Sequence, residues 1–154
     1  MTEKLRVLIV EARFYSDLAD EMAKGAIAAL DKAGILHDRI AVPGTFEVPA
    51  AIRFALRAME THSATSNYSG FIALGTVIRG ETDHYDHICR EVSRALMDIA
   101  VKQSVALGFG ILTCETKEQA EARADISRGD KGADAAQACP RMMDLKKELR
   151  LAQR

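Results

Sequence analysis

The sequence predicts an α/β fold in which four parallel strands form one sheet covered by helices on both faces. Four short apolar runs, at residues 7–10, 39–42, 71–74 and 105–114, have the length and composition of buried strands. Each run is followed by a stretch with apolar residues every three or four positions, which is typical of an amphipathic helix. Because strands that alternate with helices form parallel sheets, we expect a three-layer αβα sandwich of the flavodoxin-like class.

The first half of the chain supplies two strand–helix units. Residues 5–10 predict the first strand, and Ser16 is a suitable cap for a helix that Gly34 would end. A short second strand over residues 39–42 precedes a helix with Pro49 in its first turn, where proline is tolerated. The apolar stripes of these two helices comprise Leu18, Met22, Ala26, Leu30 and Ala33, and then Val48, Ile52, Ala55, Leu56 and Met59.

The stretch Phe71 to Arg90, FIALGTVIRGETDHYDHICR, organises the second half. It begins with the apolar run at residues 71–74, which predicts a central strand ending at Gly75. After a polar segment, a helix is predicted with His84 in its first turn. The inward stripe of this helix comprises Ile88, Val92, Leu96 and Ile99.

The last third of the chain predicts one strand and two helices. Residues 105–114 read as the fourth strand, and Thr116 with Gln119 matches a capping box for a short helix. A glycine-containing turn at residues 128–132 leads into a final helix that ends near Leu149. Strand and helix therefore alternate four times along the chain, and one more helix follows.

Composition excludes several classes of protein. The 154 residues are 48% hydrophobic, which suits a single domain over residues 1–154 with a substantial core. The formal net charge of −1 favours neither nucleic acid nor an anionic membrane. No apolar run is long enough for a membrane span or a signal peptide. Cys89, Cys114 and Cys139 are odd in number and widely spaced, which predicts reduced thiols in a cytoplasmic protein.

The ends of the predicted strands mark one candidate site. In a parallel sheet the carboxyl ends meet at one edge, so Phe14, Phe46-Glu47, residues 75–84 and Cys114-Glu115 should converge there. The helix that follows residues 79–83 would present free N–H groups suited to a phosphate, and Thr82 adds a hydroxyl. The glycines at positions 75 and 80 match neither GxGxxG nor a Walker motif, so alone they are weak evidence of a phosphate site.

His84 is the titratable group that we expect to act in this site. An imidazole has a pKa near neutrality and can both give and take protons. A capping or core histidine is the ordinary alternative. His84 and His87 could also be read as a metal pair, but the helical pattern assigns His87 to the polar outer face and provides no third ligand at a useful spacing.

The other candidate residues also have ordinary explanations. Phe14 is either a core residue or an exposed ring that covers a planar heterocycle. The carboxylate of Glu47 either interacts favourably with the positive end of the following helix dipole or accepts hydrogen bonds from a polyol. Arg123 and Lys131, which flank the loop before the last helix, are by default solvated surface residues.

Four segments resemble one enzyme family over nearly the whole chain. VPGTFEVPAAI (residues 42–52), ALGTVIRGETDHYDHIC (73–89), FGILTCE (109–115) and EARADISRGDKGADAA (121–136) are similar to the 6,7-dimethyl-8-ribityllumazine synthases of riboflavin biosynthesis. The resemblance implies condensation of 5-amino-6-(D-ribitylamino)uracil with 3,4-dihydroxy-2-butanone 4-phosphate. The products would be the lumazine, phosphate and water, and no metal or organic cofactor is expected.

The resemblance also implies a role for each matching position. His84 would transfer protons, and Phe14 would stack on the pyrimidine ring. Glu47, beside Phe46, would bind ribityl hydroxyls. The expected substrate-binding set comprises Phe14, Phe46, Glu47, Thr76, Val77, Ile78, Gly80, Glu81, Thr82, Phe109, Arg123 and Lys131. In this set, Thr76 to Ile78 would hold the uracil edge and Gly80 to Thr82 the phosphate. Phe109, Arg123 and Lys131 would come from a neighbouring subunit.

Members of the family assemble as pentamers or as multiples of pentamers, so we expect a homo-oligomer of this kind. Three features of the chain bear on assembly: the segment before Leu5 is short, Pro140 falls inside the last helix, and that helix carries an apolar stripe. The stripe comprises Met142, Leu145, Leu149 and Ala152. The alternatives to a synthase are a non-catalytic flavin- or lumazine-binding protein on the same fold, an archaeal-type riboflavin synthase and a receiver-like signalling domain.

Overall fold

The computed structural model describes residues 5–151, which form one four-stranded parallel sheet with the strand order β2-β1-β3-β4. The elements follow along the chain as β1 (Arg6–Ala12), α1 (Ser16–Ala33), β2 (Leu36–Val42), a 3₁₀ helix (Thr45–Glu47), α2 (Val48–Glu60), β3 (Gly70–Ile78), α3 (His84–Lys102), β4 (Leu107–Cys114), α4 (Lys117–Ala124) and α5 (Lys131–Glu148).

Two apolar cores cover the two faces of the sheet. Along β1, Val7 and Ile9 point to one face and Leu8 and Val10 to the other, as the two-residue period of a strand requires. The first face packs against α1, α4 and α5, and the second against α2 and α3. The predicted three-layer, flavodoxin-like αβα sandwich is therefore confirmed.

The central strand β3 is longer than its apolar run. We predicted that it ends at Gly75, which is wrong, because β3 continues to Ile78. Beyond Leu74, the last residue of β3 paired with β1, the strand keeps its pairing with β4 as far as the pair Ile78 and Cys114. The strand therefore carries residues 75–78 past the end of β1, and this extension forms part of the candidate site.

Strand β2 also begins earlier than predicted, at Leu36. The polar residues before position 39 hid this part from a search for apolar runs, since an edge strand does not need to be apolar. The Asp38 side chain is paired instead: it lies 2.6 Å from Arg6 Nη1 and accepts a hydrogen bond of 2.8 Å from Tyr68. Burial, together with this hydrogen bond, raises the pKa of Tyr68 to about 12.

Of the caps predicted at Ser16, Gly34 and Thr116, the last two are correct. Thr116 caps α4 by accepting from the Gln119 N–H at 3.2 Å, and Gly34 ends α1 in a left-handed conformation. The Gln119 side chain reaches back to the N–H of Glu115, one residue before the cap. The predicted cap at Ser16 is wrong, because Tyr15 occupies the cap position and makes no side-chain cap hydrogen bond.

The prediction of a final helix through Pro140 holds, since α5 continues from Lys131 to Glu148. Residues 1–4 and Ala152, on which the expected subunit contacts partly depend, lie outside the described residues. Among residues 5–151, no helix combines the length and the hydropathy that crossing a lipid bilayer would require.

Replacing Gly132 with alanine is expected to lower the free energy of unfolding by about 2 kcal/mol, a typical cost of overpacking. Helices α1 and α5 are in close contact at this position, where a Cβ atom would overlap the backbone carbonyl of Met22. Backbone cannot rotate out of the way as a side chain can. Urea unfolding of both proteins measures the difference.

Gly44→Ala serves as the control for this substitution. A Cβ atom at Gly44 would lie 3.5 Å from its nearest neighbour, an ordinary contact. We expect its unfolding free energy to stay within about 0.5 kcal/mol of the parent protein. Equal losses in the two variants would contradict the tight helix packing at Gly132.

Candidate active site

A cleft of about 700 Å³ opens at the carboxyl edge of the sheet. The strands on the two sides of β1 are β2 and β3, so the connections after β1 and before β3 diverge at this edge. Ligands bind at such switch points in open α/β sheets. Its lining comprises Phe14, Tyr15, Pro43, Gly44, Thr45, Phe46, Glu47, Thr76, Val77, Ile78, His84, His87 and Ile88. Of the strand ends predicted to converge, Phe14, Phe46-Glu47 and part of residues 75–84 line this cavity, whereas Cys114-Glu115 does not.

Two phenylalanines stand exposed at this cleft. The exposed fraction is 73% for Phe14 and 60% for Phe46, which is unusual for side chains of this type. Phe14 packs edge-on against Tyr15, with ring centroids 4.9 Å apart. The alternative of Phe14 as a core residue is therefore wrong. An exposed ring that is held in place by an edge-on contact, as Phe14 is by Tyr15, can stack on a planar heterocycle.

A partly buried ion network fixes the turn that carries Phe14. The carboxylate of Glu11, only 3% exposed, accepts hydrogen bonds from Arg13 at 3.1 Å and from Arg39. The backbone N–H of Arg13 also donates to the carbonyl of Val42 at 3.0 Å. The hydrogen bond with Glu11 raises the pKa of Arg39 above its ordinary value. These contacts join the end of β1 to β2 next to the exposed ring.

The floor of the cleft is the extended end of β3. Beyond Leu74 this strand has no partner on the β1 side, while the N–H of Arg79 donates to the Cys114 carbonyl on β4. Because backbone groups alternate along a strand, those of Thr76 and Ile78 face the unpaired side. The Thr45 hydroxyl donates to the Thr76 carbonyl at 3.3 Å. The cleft floor thus offers backbone donors and acceptors to a planar ligand edge.

His84 lies at the first position of α3 and lines the cleft. Its backbone N–H donates to the hydroxyl of Thr82 at 3.3 Å. His87 and Ile88 line the same cleft, and the side chain of His87 is 66% exposed, as its assignment to the polar face predicted. Residues three and four positions apart share one helix face, and this spacing could have identified both. His87 Nε2 lies 3.6 Å from a carboxylate oxygen of Asp83.

The loop between β3 and α3 follows directly on the cleft floor. Gly80, Glu81 and Thr82 are exposed. Arg79, which precedes them, is engaged by two carboxylates: its Nε lies 2.7 Å from Glu115, and its Nη2 lies 3.3 Å from Asp86. The hydrogen bonds with Glu115 and then Asp86 raise the pKa of Arg79 above its ordinary value.

Gly80, Glu81 and Thr82 are not among the residues that line the cleft, and three further candidates also lie outside it in a single chain. Phe109 projects from the edge strand β4 and is 48% exposed. Arg123 Nη1 donates to the Cys114 thiol at 3.0 Å, and Lys131 Nζ lies 3.2 Å from Asp134. None of these three residues is among those that line the cavity.

The described residues also include lining groups that the sequence search did not select. Tyr15 and residues 43–45 follow directly on the ends of β1 and β2, so the rule that selected Phe14 and Phe46 could have found them. Thr45 is buried and reaches β3, a contact that only the folded chain reveals. Within residues 5–151, no cluster of three or more potential ligands suits a metal ion.

Comparison with known proteins gives a consistent result. The model of the family described as 6,7-dimethyl-8-ribityllumazine synthase matches residues 4–147. A 6,7-dimethyl-8-ribityllumazine synthase 1 from Rhizobium meliloti is 54% identical over 145 residues, which cover 94% of each chain. A 6,7-dimethyl-8-ribityllumazine synthase from Agrobacterium fabrum is 53% identical, with 95% of this chain and 97% of the relative covered. A 6,7-dimethyl-8-ribityllumazine synthase from Paramagnetospirillum magneticum is 48% identical, and the match covers 96% of this chain and 98% of the relative.

Proposed function

This chain belongs to the 6,7-dimethyl-8-ribityllumazine synthase family, and we infer from that membership that it is a transferase of riboflavin biosynthesis. It condenses 5-amino-6-(D-ribitylamino)uracil with 3,4-dihydroxy-2-butanone 4-phosphate to give 6,7-dimethyl-8-ribityllumazine, phosphate and water. The observation that carries this function is the cleft itself, which brings exposed aromatic rings, free strand backbone and an imidazole to one edge of the sheet.

The pyrimidine substrate fits the inner part of the cleft. Its ring stacks on Phe14, and its polar edge pairs with the backbone of Thr76 and Ile78, which faces the side of β3 that β1 leaves unpaired. Phe46 covers the ribityl chain, and the half-buried Glu47 accepts hydrogen bonds from its hydroxyls. These assignments account for an apolar cleft with few polar groups, the usual composition of a small-molecule site.

The phosphate of the second substrate binds at Gly80, Glu81 and Thr82. The free N–H groups of this loop and of the start of α3 suit an anion. However, the neighbouring side chains are largely acidic, and the guanidinium of Arg79 is already engaged. A further cation is therefore needed, and Arg123 of an adjoining subunit supplies it.

His84 transfers protons during the reaction. An amine of the pyrimidine attacks the ketone carbon, water leaves, phosphate is eliminated and the second ring closes with loss of a second water. Each of these steps moves a proton, and none of them changes the oxidation state of the reactants taken together. An imidazole at the mouth of the cleft can take a proton from the attacking amine and return it to the leaving oxygen. Holding the two substrates in register provides the rest of the acceleration.

We propose that the protein is a cytoplasmic homo-oligomer, a pentamer or a multiple of pentamers. Phe109, Arg123 and Lys131 lie outside the cleft of their own chain and complete that of a neighbour. Large apolar side chains are also exposed on α2 and α3, including Phe54, which suits a head-to-tail ring. The free thiols of Cys89, Cys114 and Cys139 suit a reducing compartment. Light scattering of the native protein tests the assembly.

Turnover of the two substrates tests the function directly. The purified chain is incubated with both compounds, and lumazine fluorescence and released phosphate are followed together. We expect equimolar formation of the two products. Tight binding of lumazine without turnover would instead favour a storage protein, and riboflavin formed from lumazine alone would favour a riboflavin synthase.

Replacing Phe14 with alanine is expected to raise KM for the pyrimidine about fivefold, because one aromatic stacking contact is lost. KM for the phosphate-bearing ketone should change by less than about twofold, since the ring stacks only on the pyrimidine. Steady-state kinetics with each substrate varied in turn measures both constants. Ile40→Ala is the control, because this apolar side chain on β2 is also exposed but does not line the cleft. Equal effects on the two KM values would contradict the stacking role.

A further inference from the structure

The side chain of Arg79 makes more directed contacts than a solvated surface arginine needs. Its Nε donates to Glu115 at 2.7 Å, while Nη1 and Nη2 face the two oxygens of Asp86 at 3.5 and 3.3 Å. The flat face of the guanidinium lies over the ring of Tyr85, with 4.3 Å between Cζ and the ring centroid. Two edges and one face of the planar group are thus used at once, which a lysine cannot reproduce.

These contacts connect three parts of the chain. Glu115 follows the end of β4, and Tyr85 and Asp86 are the two residues directly after His84 on α3. The backbone N–H of Arg79 also donates to the Cys114 carbonyl at 2.9 Å. Arg79 itself stands between Ile78, on the cleft floor, and Gly80, the first residue of the loop over residues 80–83 that is proposed to bind the phosphate (the anion loop). One residue therefore joins the floor, the loop and the first turn of α3.

The loop that follows has little packing of its own. Residues 80–83 are exposed, and a Cβ atom at Gly80 would have no neighbour within 4 Å. At its far end, the Thr82 hydroxyl accepts from the N–H of His84, and the Asp83 carbonyl accepts from the N–H of His87. The position of the loop thus depends on how its two ends are held. Arg79 directly precedes one end and contacts the first turn of α3, which follows the other.

From this geometry we propose that Arg79 is a positioning residue, which fixes the anion loop relative to the imidazole of His84. This role rests on the function proposed above. Arg79 does not act as a phosphate ligand, because both donor edges of its guanidinium are directed at carboxylates. Its effect on the phosphate substrate passes through the loop, where a displacement of about 1 Å costs up to a hundredfold in rate.

The two possible roles of Arg79 predict opposite effects of one substitution. If Arg79 bound the phosphate directly, Glu115→Gln would release its positive charge and lower KM for the phosphate-bearing ketone. If Arg79 positions the loop, the same substitution loosens it and raises that KM. Arg94→Ala is the matched control, because Arg94 also lies between two carboxylates, Glu91 and Asp98, but on α3 and away from the cleft.

The experiment compares full-length Arg79→Ala, Arg79→Lys, Glu115→Gln and Arg94→Ala by steady-state kinetics with each substrate varied. We expect Arg79→Ala and Arg79→Lys to raise KM for the phosphate-bearing ketone about tenfold, with KM for the pyrimidine within about twofold. Glu115→Gln should raise KM for the phosphate-bearing ketone about threefold. This is less than the effect of Arg79→Ala, because the contacts of Arg79 with Asp86 and Tyr85 remain. Arg94→Ala should leave both constants unchanged.

Unchanged KM values in Arg79→Ala, full rescue by lysine, or a lower KM in Glu115→Gln would overturn this role. Circular dichroism and light scattering verify that each variant folds and assembles. If Arg79→Ala does not fold, the sign of the Glu115→Gln effect still decides. An inactive parent protein would refute the proposed function, whereas an active parent with normal Arg79 variants would refute only the role of Arg79.

Discussion

Replacing His84 with glutamine is expected to lower kcat about a hundredfold, the usual contribution of one positioned acid–base group. Both KM values should change by less than about threefold, because the imidazole acts on protons in the transition state and holds neither substrate in the ground state. Steady-state kinetics with lumazine fluorescence as the signal measures these constants. Product should still form slowly, since the two substrates remain aligned in the cleft.

His87→Gln distinguishes between the two imidazoles of the cleft. Both histidines line it, one helical turn apart on α3, but only His84 lies at the end of the helix next to the anion loop. We expect the loss of kcat in His87→Gln to be at least tenfold smaller than in His84→Gln. A larger loss in His87→Gln would transfer the proton-shuttle role to His87, and an unchanged rate in His84→Gln would remove it from His84.

The fold followed from local sequence wherever one physical signal dominated. Apolar runs with β-branched residues marked the buried strands, and stripes with helical spacing marked the faces that pack on them. The errors arose where two signals competed. Gly75 usually marks a turn, yet it lies within β3 because its backbone still pairs with Ile111 on β4. The polar start of β2 was missed because an edge strand is held by hydrogen bonds and ion pairs as well as by burial.

The candidate site was predictable as a location but not as a complete set of residues. Parallel topology alone brought Phe14, Phe46 and the end of β3 to one edge, and a cleft lies there. Contacts between distant parts of the chain were not predictable, such as Thr45 with Thr76 or Arg79 with Glu115. They depend on side-chain directions at the ends of elements, which vary with small changes in the connecting turns.

Residues supplied by another subunit are the hardest part of a site to identify from one chain. Periodicity and strand ends describe how a chain packs on itself, whereas a ring of subunits adds contacts that depend on the shape of its exposed faces. Arg123 illustrates this difficulty, since in its own chain it contacts the Cys114 thiol and does not line the cleft. Its proposed role therefore needs a test that separates binding from assembly.

Replacing Arg123 with alanine is expected to raise KM for the phosphate-bearing ketone roughly fiftyfold, because a charge-assisted contact to phosphate is lost. KM for the pyrimidine should remain within about twofold, since the guanidinium does not approach that ring. Arg128→Ala is the control: Arg128 lies five positions further along, is exposed, and is paired with Asp125. An unchanged KM for the ketone in Arg123→Ala would contradict the phosphate contact.

Mixed assemblies of Arg123→Ala and His84→Gln subunits test whether one cleft is built from two chains. If each cleft takes His84 from its own subunit and Arg123 from the next, random mixing of equal amounts leaves about one cleft in four intact. At a ketone concentration well below KM, the mixture should then recover about a quarter of the parent activity, far above that of either variant. If both groups served the cleft of the same chain, no cleft would be intact and activity would stay at the level of the separate variants. Unfolding and refolding the two variants together, with separately refolded samples as the control, distinguishes these results.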